Sequence, residues 1–265
     1  MIAFTKAHAY GNDFLYVERE TPVDAGNWAR RLCDRHRGVG ADGLIFYAVT
    51  AAGATMTLFN ADGSRSELSG NGLRGLAAIV ARSWQASGRS ERVIAIDTTA
   101  GPKRLTLERA DGTGYLFAAE MGLPTGIAEQ ALEVGGERLT VTVLAVGNPQ
   151  CVVLGPLPDD ETFARLGPAL EQHPSFPNRT NVEFARVDAP DRVVIRIWER
   201  GVGPTESSGT GSCAAAVAAA AHGGAARDVE VVAPGGSQRV QWTDEGLILT
   251  GWAGIIADGT FCAEL

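Results

Sequence analysis

Two stretches half a chain length apart decide how this 265-residue sequence reads. The first is Phe59-Asn-Ala-Asp-Gly-Ser-Arg-Ser-Glu-Leu-Ser69-Gly70-Asn71-Gly72; the second is Ile197-Trp-Glu-Arg-Gly-Val-Gly-Pro-Thr-Glu-Ser-Ser208-Gly209-Thr210-Gly211. Each is the end of a strand, a glycine-containing loop, Ser-Gly-x-Gly and then an apolar helix. Two copies of one supersecondary unit predict two similar domains about a pseudo-twofold axis, with both loops meeting at a cleft.

Outward from these stretches, β-branched and alternating runs predict strands at 14–17, 44–49, 55–59, 92–96, 104–107, 139–144, 193–198, 229–232 and 247–249. Helices are expected over 27–37, 70–85, 161–171 and 209–222. Met-Gly-Leu-Pro within 120–124 reads as a linker, which places an N-terminal domain at 1–119 and a C-terminal one at 120–254. The last segment, 255–265, could return to the first domain.

The chain is 45% hydrophobic and 20% charged, the arithmetic of a globular protein with material for a core and not of a disordered tail or coiled coil. With 23 basic against 31 acidic residues its net charge is -8, which disfavours a nucleic-acid partner. No apolar run is long enough to span a bilayer and no leader pattern is visible. The four cysteines at 33, 151, 213 and 262 show no C-x-x-C pairing, so reduced thiols, no zinc site and a cytoplasmic protein are expected. His and carboxylate spacing suggests no metal. The only lysines are Lys6 and Lys103, so a pyridoxal Schiff base has few candidates.

A helix that opens with Gly-x-Gly presents unpaired N–H groups and the positive end of its dipole, which suits an anion. The same glycines could merely let a loop turn sharply into a core helix; the duplication favours anion binding, with one carboxylate gripped by two helix starts. Gly38-Val-Gly40-Ala-Asp-Gly43 has the spacing of a dinucleotide fingerprint, but it precedes a strand-like run instead of opening a helix, so no nucleotide is expected.

At Ser69-Gly-Asn-Gly-x-Arg74 after Asn60-Ala-Asp-Gly-Ser, and at Glu199-Arg200-Gly-x-Gly followed by Ser208-Gly-x-Gly-x-Cys213, the chain resembles the diaminopimelate epimerase family. Gly11-Asn12-Asp13-Phe14, Arg35-His-x-Gly-Val-Gly40-x-Asp42-Gly, Gly147-Asn148-Pro149 and Thr180-Asn181-Val-Glu-Phe184 match the same family in the same order. The resemblance implies an α+β fold, each of two similar domains having a mixed or antiparallel sheet wrapped around a central helix. It also implies a cofactor-independent epimerase that moves the α-proton between LL- and meso-diaminopimelate, in lysine and peptidoglycan-precursor synthesis. Position by position, Ser69 and Ser208 stand at the two catalytic positions. Asn12, Asn60, Gly70, Asn71, Asn148, Asn181, Glu199, Arg200, Gly209 and Thr210 would bind the substrate.

Three departures bear on the chemistry. The family carries cysteines where Ser69 and Ser208 stand, and a thiol gives an anion near neutrality far more readily than a hydroxyl does. Gln150 replaces a usual histidine and cannot relay a proton near pH 7, while Gly43 replaces a usual glutamine. Cys33, Cys151, Cys213 and Cys262 are expected to be core thiols. His8, His36, His173 and His222 are expected to be structural or exposed.

The expected partner is a small amino-acid substrate, with no nucleic acid and no membrane and with a homodimer left open. The first functional reading is an amino-acid isomerase acting on diaminopimelate, either a natural serine variant or one with replaced cysteines. The second is an isomerase or dehydratase of the same fold on another amino or hydroxy acid. The third is a binding homologue without catalysis. A hydrolase using Ser208 is weaker, because the nucleophile-elbow pattern is absent.

Overall fold

The computed structural model describes residues 1–66, 69–99 and 101–262. The chain forms two compact units, one of residues 1–119 with 251–265 and the other of residues 120–250.

In chain order the first unit contributes β1 (Ile2–Ala9), β2 (Asn12–Glu18), α1 (Ala25–Leu32), β3 (Gly43–Thr50), β4 (Gly53–Asn60), β5 (Arg65–Ser66), α2 (Gly70–Ala86), β6 (Val93–Thr98), β7 (Gly101–Asp111) and β8 (Gly114–Gly122). The sheet is mixed. β1 and β2 form a hairpin, β2 runs parallel to β3 after the α1 crossover, β3 pairs antiparallel with β4, and β4 runs parallel to β6. β6, β7 and β8 continue as an antiparallel meander. The β1–β2 turn places Tyr10 (φ 55°) and Gly11 (φ 85°) both in the left-handed region, as a two-residue hairpin turn with right-twisted strands requires. Tyr10 is uncommon there. It is held because its hydroxyl accepts from Trp252 N–H at 3.0 Å and its ring lies under the Arg74 guanidinium.

Helix α2 is buried from Asn71 to Ala81 and again at Trp84, and it touches β1, β2, β4, β6 and β7. An apolar surface on all sides is what a helix needs when strands enclose it. One close approach fixes its depth: a Cβ on Gly75 would lie 2.0 Å from the Tyr16 hydroxyl, which instead reaches the helix and donates to Gly72 O at 2.9 Å. Outside this layer, α1 packs Trp28, Ala29 and Leu32 on Leu15, Leu44 and Phe46.

The second unit repeats the order with β9 (Thr125–Val134), β10 (Glu137–Ala145), β11 (Pro149–Leu154), α3 (Asp160–Glu171), β12 (Asn181–Ala189), β13 (Arg192–Glu199), β14 (Gly203–Thr205), α4 (Gly209–His222), β15 (Asp228–Ala233), β16 (Gly236–Thr243) and β17 (Gly246–Phe261). β11 runs parallel to β12 after the α3 crossover, β12 pairs antiparallel with β13, and β13 runs parallel to β15. This is the pattern of β2, β3, β4 and β6. The central helix α4 is buried from Gly211 to Ala219, and its alanines let β10–β13, β15 and β16 close on it. The later part of β17 belongs to the first unit, where it pairs antiparallel with β1 from Ile2↔Phe261 to His8↔Gly254. The two similar domains of mixed sheet around a central helix are therefore as expected.

Some local expectations fail. The first helix covers Ala25–Leu32, not 27–37: Asp34 Oδ1 accepts from both His36 and Arg37 N–H at 2.8 Å, a side-chain turn that competes with the helix. The stretch expected as a linker is strand β8 through Gly122, with β9 starting at Thr125. Strands β1, β5, β8, β9, β12, β14 and β16 lie outside the expected runs. Cys262 is exposed, not in the core, because it lies just past the end of β17. No helix among the described residues is long and apolar enough to cross a membrane.

Candidate active site

In the first unit, Ser69 caps α2 with extended backbone (φ -131°, ψ 122°), and its Oγ accepts from Gly72 N–H at 3.1 Å. The hydroxyl therefore sits at the positive end of the helix. Asn71, in the first turn, is buried between two partners: its Oδ1 accepts from Arg74 at 3.0 Å and its Nδ2 donates to Asn12 Oδ1 at 3.4 Å. Asn12 opens β2 and donates to Asp42 Oδ2 at 2.8 Å. Beneath it, Asp13 is paired at 2.8 Å with both Lys6 and Arg35, and Arg35 also reaches Asp42 at 2.8 Å. Burial pushes the Asp13 carboxyl up, but hydrogen bonds from Arg35 and Lys6 outweigh this and hold it below the usual carboxylate range. Asn60 ends β4 exposed and donates to Ser64 Oγ at 2.9 Å across its loop.

In the second unit the same positions recur. Ser208 caps α4 (φ -140°, ψ 127°), and its Oγ accepts from Gly211 N–H at 3.2 Å. Its hydroxyl also stands beside the Glu199 carboxyl at the end of β13; burial pushes Glu199 up and the Ser208 hydroxyl partly offsets it. Asn181 opens β12, accepts from Arg200 N–H at 3.0 Å and donates to Pro149 O at 3.2 Å. The Arg200 guanidinium donates to Asn178 O at 3.0 Å and is otherwise exposed. Asn148 follows Gly147 in the turn before β11 and meets the buried Gln150 amide at 2.6 Å. Thr210 Oγ1 lies 3.2 Å from the same amide.

Within each unit the structure thus gathers the expected residues at one helix start. Asn12, Asn71 and Ser69 lie together in the first, and Asn148, Asn181, Glu199, Arg200, Ser208 and Thr210 in the second. Gly70 and Gly209 are the first residues of their helices, and a Cβ on Gly70 would meet nothing within 4 Å. Asn60 is turned toward its own loop. The Gly38–Gly43 run leads into strand β3 and opens no helix. Cys33, Cys151 and Cys213 are buried; burial pushes the Cys33 thiol up to about 12 and raises Cys151 as well, so neither supplies a thiolate near neutrality. His8 stacks edge-on against Trp252 with its pKa lowered by burial. His36 and His222 are exposed, and His173 is half-buried. No cluster of metal-ligating side chains is present among the described residues.

Two groups escaped the sequence reading. The Lys6–Asp13–Arg35–Asp42 network joins β1, β2 and the loop before β3, and its pairing has no local signature. Glu183, in the middle of β12, is fully buried. A charged residue inside an otherwise buried five-residue run, Asn181–Ala185, was the available signal.

The family model for diaminopimelate epimerase matches residues 4–126 and 142–255. A diaminopimelate epimerase of Desulforudis audaxviator is 40% identical over 275 residues, covering 97% of this chain and 98% of the relative. One from Microcystis aeruginosa is 38% identical over 98% of this chain and 99% of the relative. Among solved structures, a predicted epimerase of Pseudomonas aeruginosa superposes with TM-score 0.74 at 16% identity and full coverage of both chains. A probable proline racemase of Agrobacterium radiobacter gives 0.72 at 16% identity, covering 100% of this chain and 94% of that one; at this identity the likeness concerns the fold. With family match, full-length relatives and repeated helix-start geometry in agreement, this chain belongs to the diaminopimelate epimerase family and is an isomerase.

Proposed function

We propose that the protein binds diaminopimelate and interconverts its LL and meso isomers by α-proton transfer, with Ser69 and Ser208 at the two proton-transfer positions. The observation that carries this reading is the Ser208 hydroxyl, which caps a helix N-terminus and stands beside a carboxyl, Glu199. Glu199 in its charged form accepts the serine proton as the serine oxygen takes the α-proton, and the amide end of α4 stabilises charge that develops on the substrate carboxylate. The departure from thiols predicts slow turnover, because the hydroxyl must rely on this neighbour. Asn12, Asn71, Asn148, Asn181, Arg200 and Thr210 would orient the amino and carboxylate groups, with Arg200 free to fork onto the distal carboxylate.

The reading needs no pyridoxal phosphate. Lys6 is committed to Asp13 and to Gly40 O at 2.7 Å, and Lys103 lies within strand β7. Four widely spaced cysteines without a C-x-x-C pair suit a reducing, cytoplasmic setting. A homodimer is compatible with the chain and is read directly by sedimentation.

The test is proton NMR of LL- and meso-diaminopimelate with the protein in heavy water, against a protein-free control and against Glu199→Gln. Loss of the α-proton signal above control, abolished by Glu199→Gln, is the expected result. Binding seen as ligand line broadening without exchange would leave a substrate-gripping homologue in place of an epimerase.

A further inference from the structure

Glu183 has no role in the proton transfer just described, yet it is fully buried directly beneath the start of α4. A Cβ on Gly211 would stand 2.6 Å from its Oε1, so glycine there is what lets the carboxyl approach the helix. Its oxygens lie 3.0 and 3.3 Å from one end of the Gln150 amide. The other end of that amide lies 2.6 Å from Asn148 Oδ1 and 3.2 Å from Thr210 Oγ1.

An amide offers an acceptor at one end and donors at the other, so its direction is set by its partners. If Glu183 carries a proton, its O–H donates to Gln150 Oε1. Gln150 Nε2 then donates to Asn148 Oδ1 and Thr210 Oγ1, which leaves the Asn148 amide N–H groups for a ligand. If Glu183 is ionised, the Gln150 amide must reverse and donate to the carboxylate, as happens at 3.0 Å after exchange of its O and N. Its oxygen then takes the Asn148 N–H and the Thr210 hydroxyl proton, so Asn148 presents an oxygen instead. A carboxylate ligand suits only the first arrangement.

The surroundings favour the uncharged acid. Burial pushes the Glu183 carboxyl well above the usual range, and Glu199 on β13 pushes it further. The other titratable group that feels it is the Cys151 thiol on β11, and α4 brings the backbone of its first turn. No cation acts on Glu183 among the described residues.

We propose that Glu183 is a positioning residue whose uncharged acid form fixes the direction of the Gln150 amide, so that Asn148 offers N–H groups to a carboxylate at the α4 start. The identity of the ligand rests on the proposed function; the amide relay does not.

Two measurements test this on the full chain. First, side-chain amide signals of ¹⁵N-labelled protein are followed without ligand from pH 6 upward, alongside the ¹³C carboxyl signal of Glu183, until that carboxyl titrates. Gln150 and Asn148 should shift with pH together in the natural protein and stay flat in Glu183→Gln, whose own amide N–H replaces the acid proton. Second, binding of meso-diaminopimelate is titrated over the same range. The natural protein should weaken about fivefold or more relative to Glu183→Gln as pH rises, the size of one lost hydrogen bond, and Glu183→Leu should bind weakly at every pH. The comparison with Glu183→Gln removes the titration of the ligand's own amines, and Glu199→Gln removes that of Glu199. Across the Glu183 titration, the same pH response in natural and Glu183→Gln proteins, or flat Gln150 and Asn148 signals in the natural protein, would overturn the proposal, as would Glu183→Leu protein that binds as tightly as the natural one. Coupled amide shifts with no diaminopimelate binding would overturn the proposed substrate and leave the relay standing.

Discussion

At the scale of single residues, the contrast between Ser69 and Ser208 sets the chemistry. Both oxygens cap helices with nearly the same geometry, at 3.1 and 3.2 Å from the N–H three residues on. Only Ser208 also meets a carboxyl within its own unit among the described residues. A thiol ionises near pH 8.5 unaided, and a helix N-terminus lowers that further. Replacing both serines, Ser69→Cys with Ser208→Cys, should therefore raise α-proton exchange at least about tenfold by heavy-water NMR; Glu199→Gln in the serine protein should lower it by about a hundredfold. Glu183 adds a stability signature. A carboxyl whose folded pKa is raised contributes stability that is fully present below its ordinary unfolded value and is lost as pH rises through the folded value. Urea denaturation from pH 4 upward should show the natural protein losing stability where Glu183→Gln does not, once pH passes the ordinary glutamate range.

At the scale of elements, two central helices are held by close approaches more than by propensity. Gly75 lets the Tyr16 hydroxyl reach Gly72 O; Gly75→Ala should cost about 1–3 kcal/mol in chemical denaturation through overpacking. Adding Tyr16→Phe, which removes the clashing oxygen, should recover part of that loss. Both helix starts were legible from sequence because Ser-Gly-x-Gly is a local signal: the cap, the glycine and the apolar run lie within one or two turns of each other. Strand β9 was not, because its burial is confined to its last residues and its order comes from pairing with β10. Helix α1 ended early for an equally local reason, the Asp34 side chain, which helix periodicity does not register.

At the scale of the molecule, the last part of β17 completes the first unit: it pairs along β1, and Asp258 joins Arg82 at 2.7 Å and Thr5 at 2.7 Å. Asp258→Ala alone should shift stability by less than about 1 kcal/mol, since the pair is exposed. Ending the chain at Thr250 should instead abolish cooperative unfolding of the first unit, seen as lost tryptophan-fluorescence change, because β1 loses a partner strand and Tyr10 loses the Trp252 N–H and ring.

The sequence by itself determined the family, the duplication, the helix starts and the residues around them, because each is encoded in contiguous motifs whose spacing is the signal. Tertiary structure decided what those motifs share. Glu183, Gln150, Asn148 and Thr210 come from three separate motifs and meet only because β11 and β12 pair in parallel beneath α4. Likewise Lys6, Asp13, Arg35 and Asp42 meet only when β1, β2 and the loop before β3 are assembled. Burial and neighbouring charge, the terms that set protonation and hydrogen-bond direction, are properties of that assembly and have no counterpart in linear order.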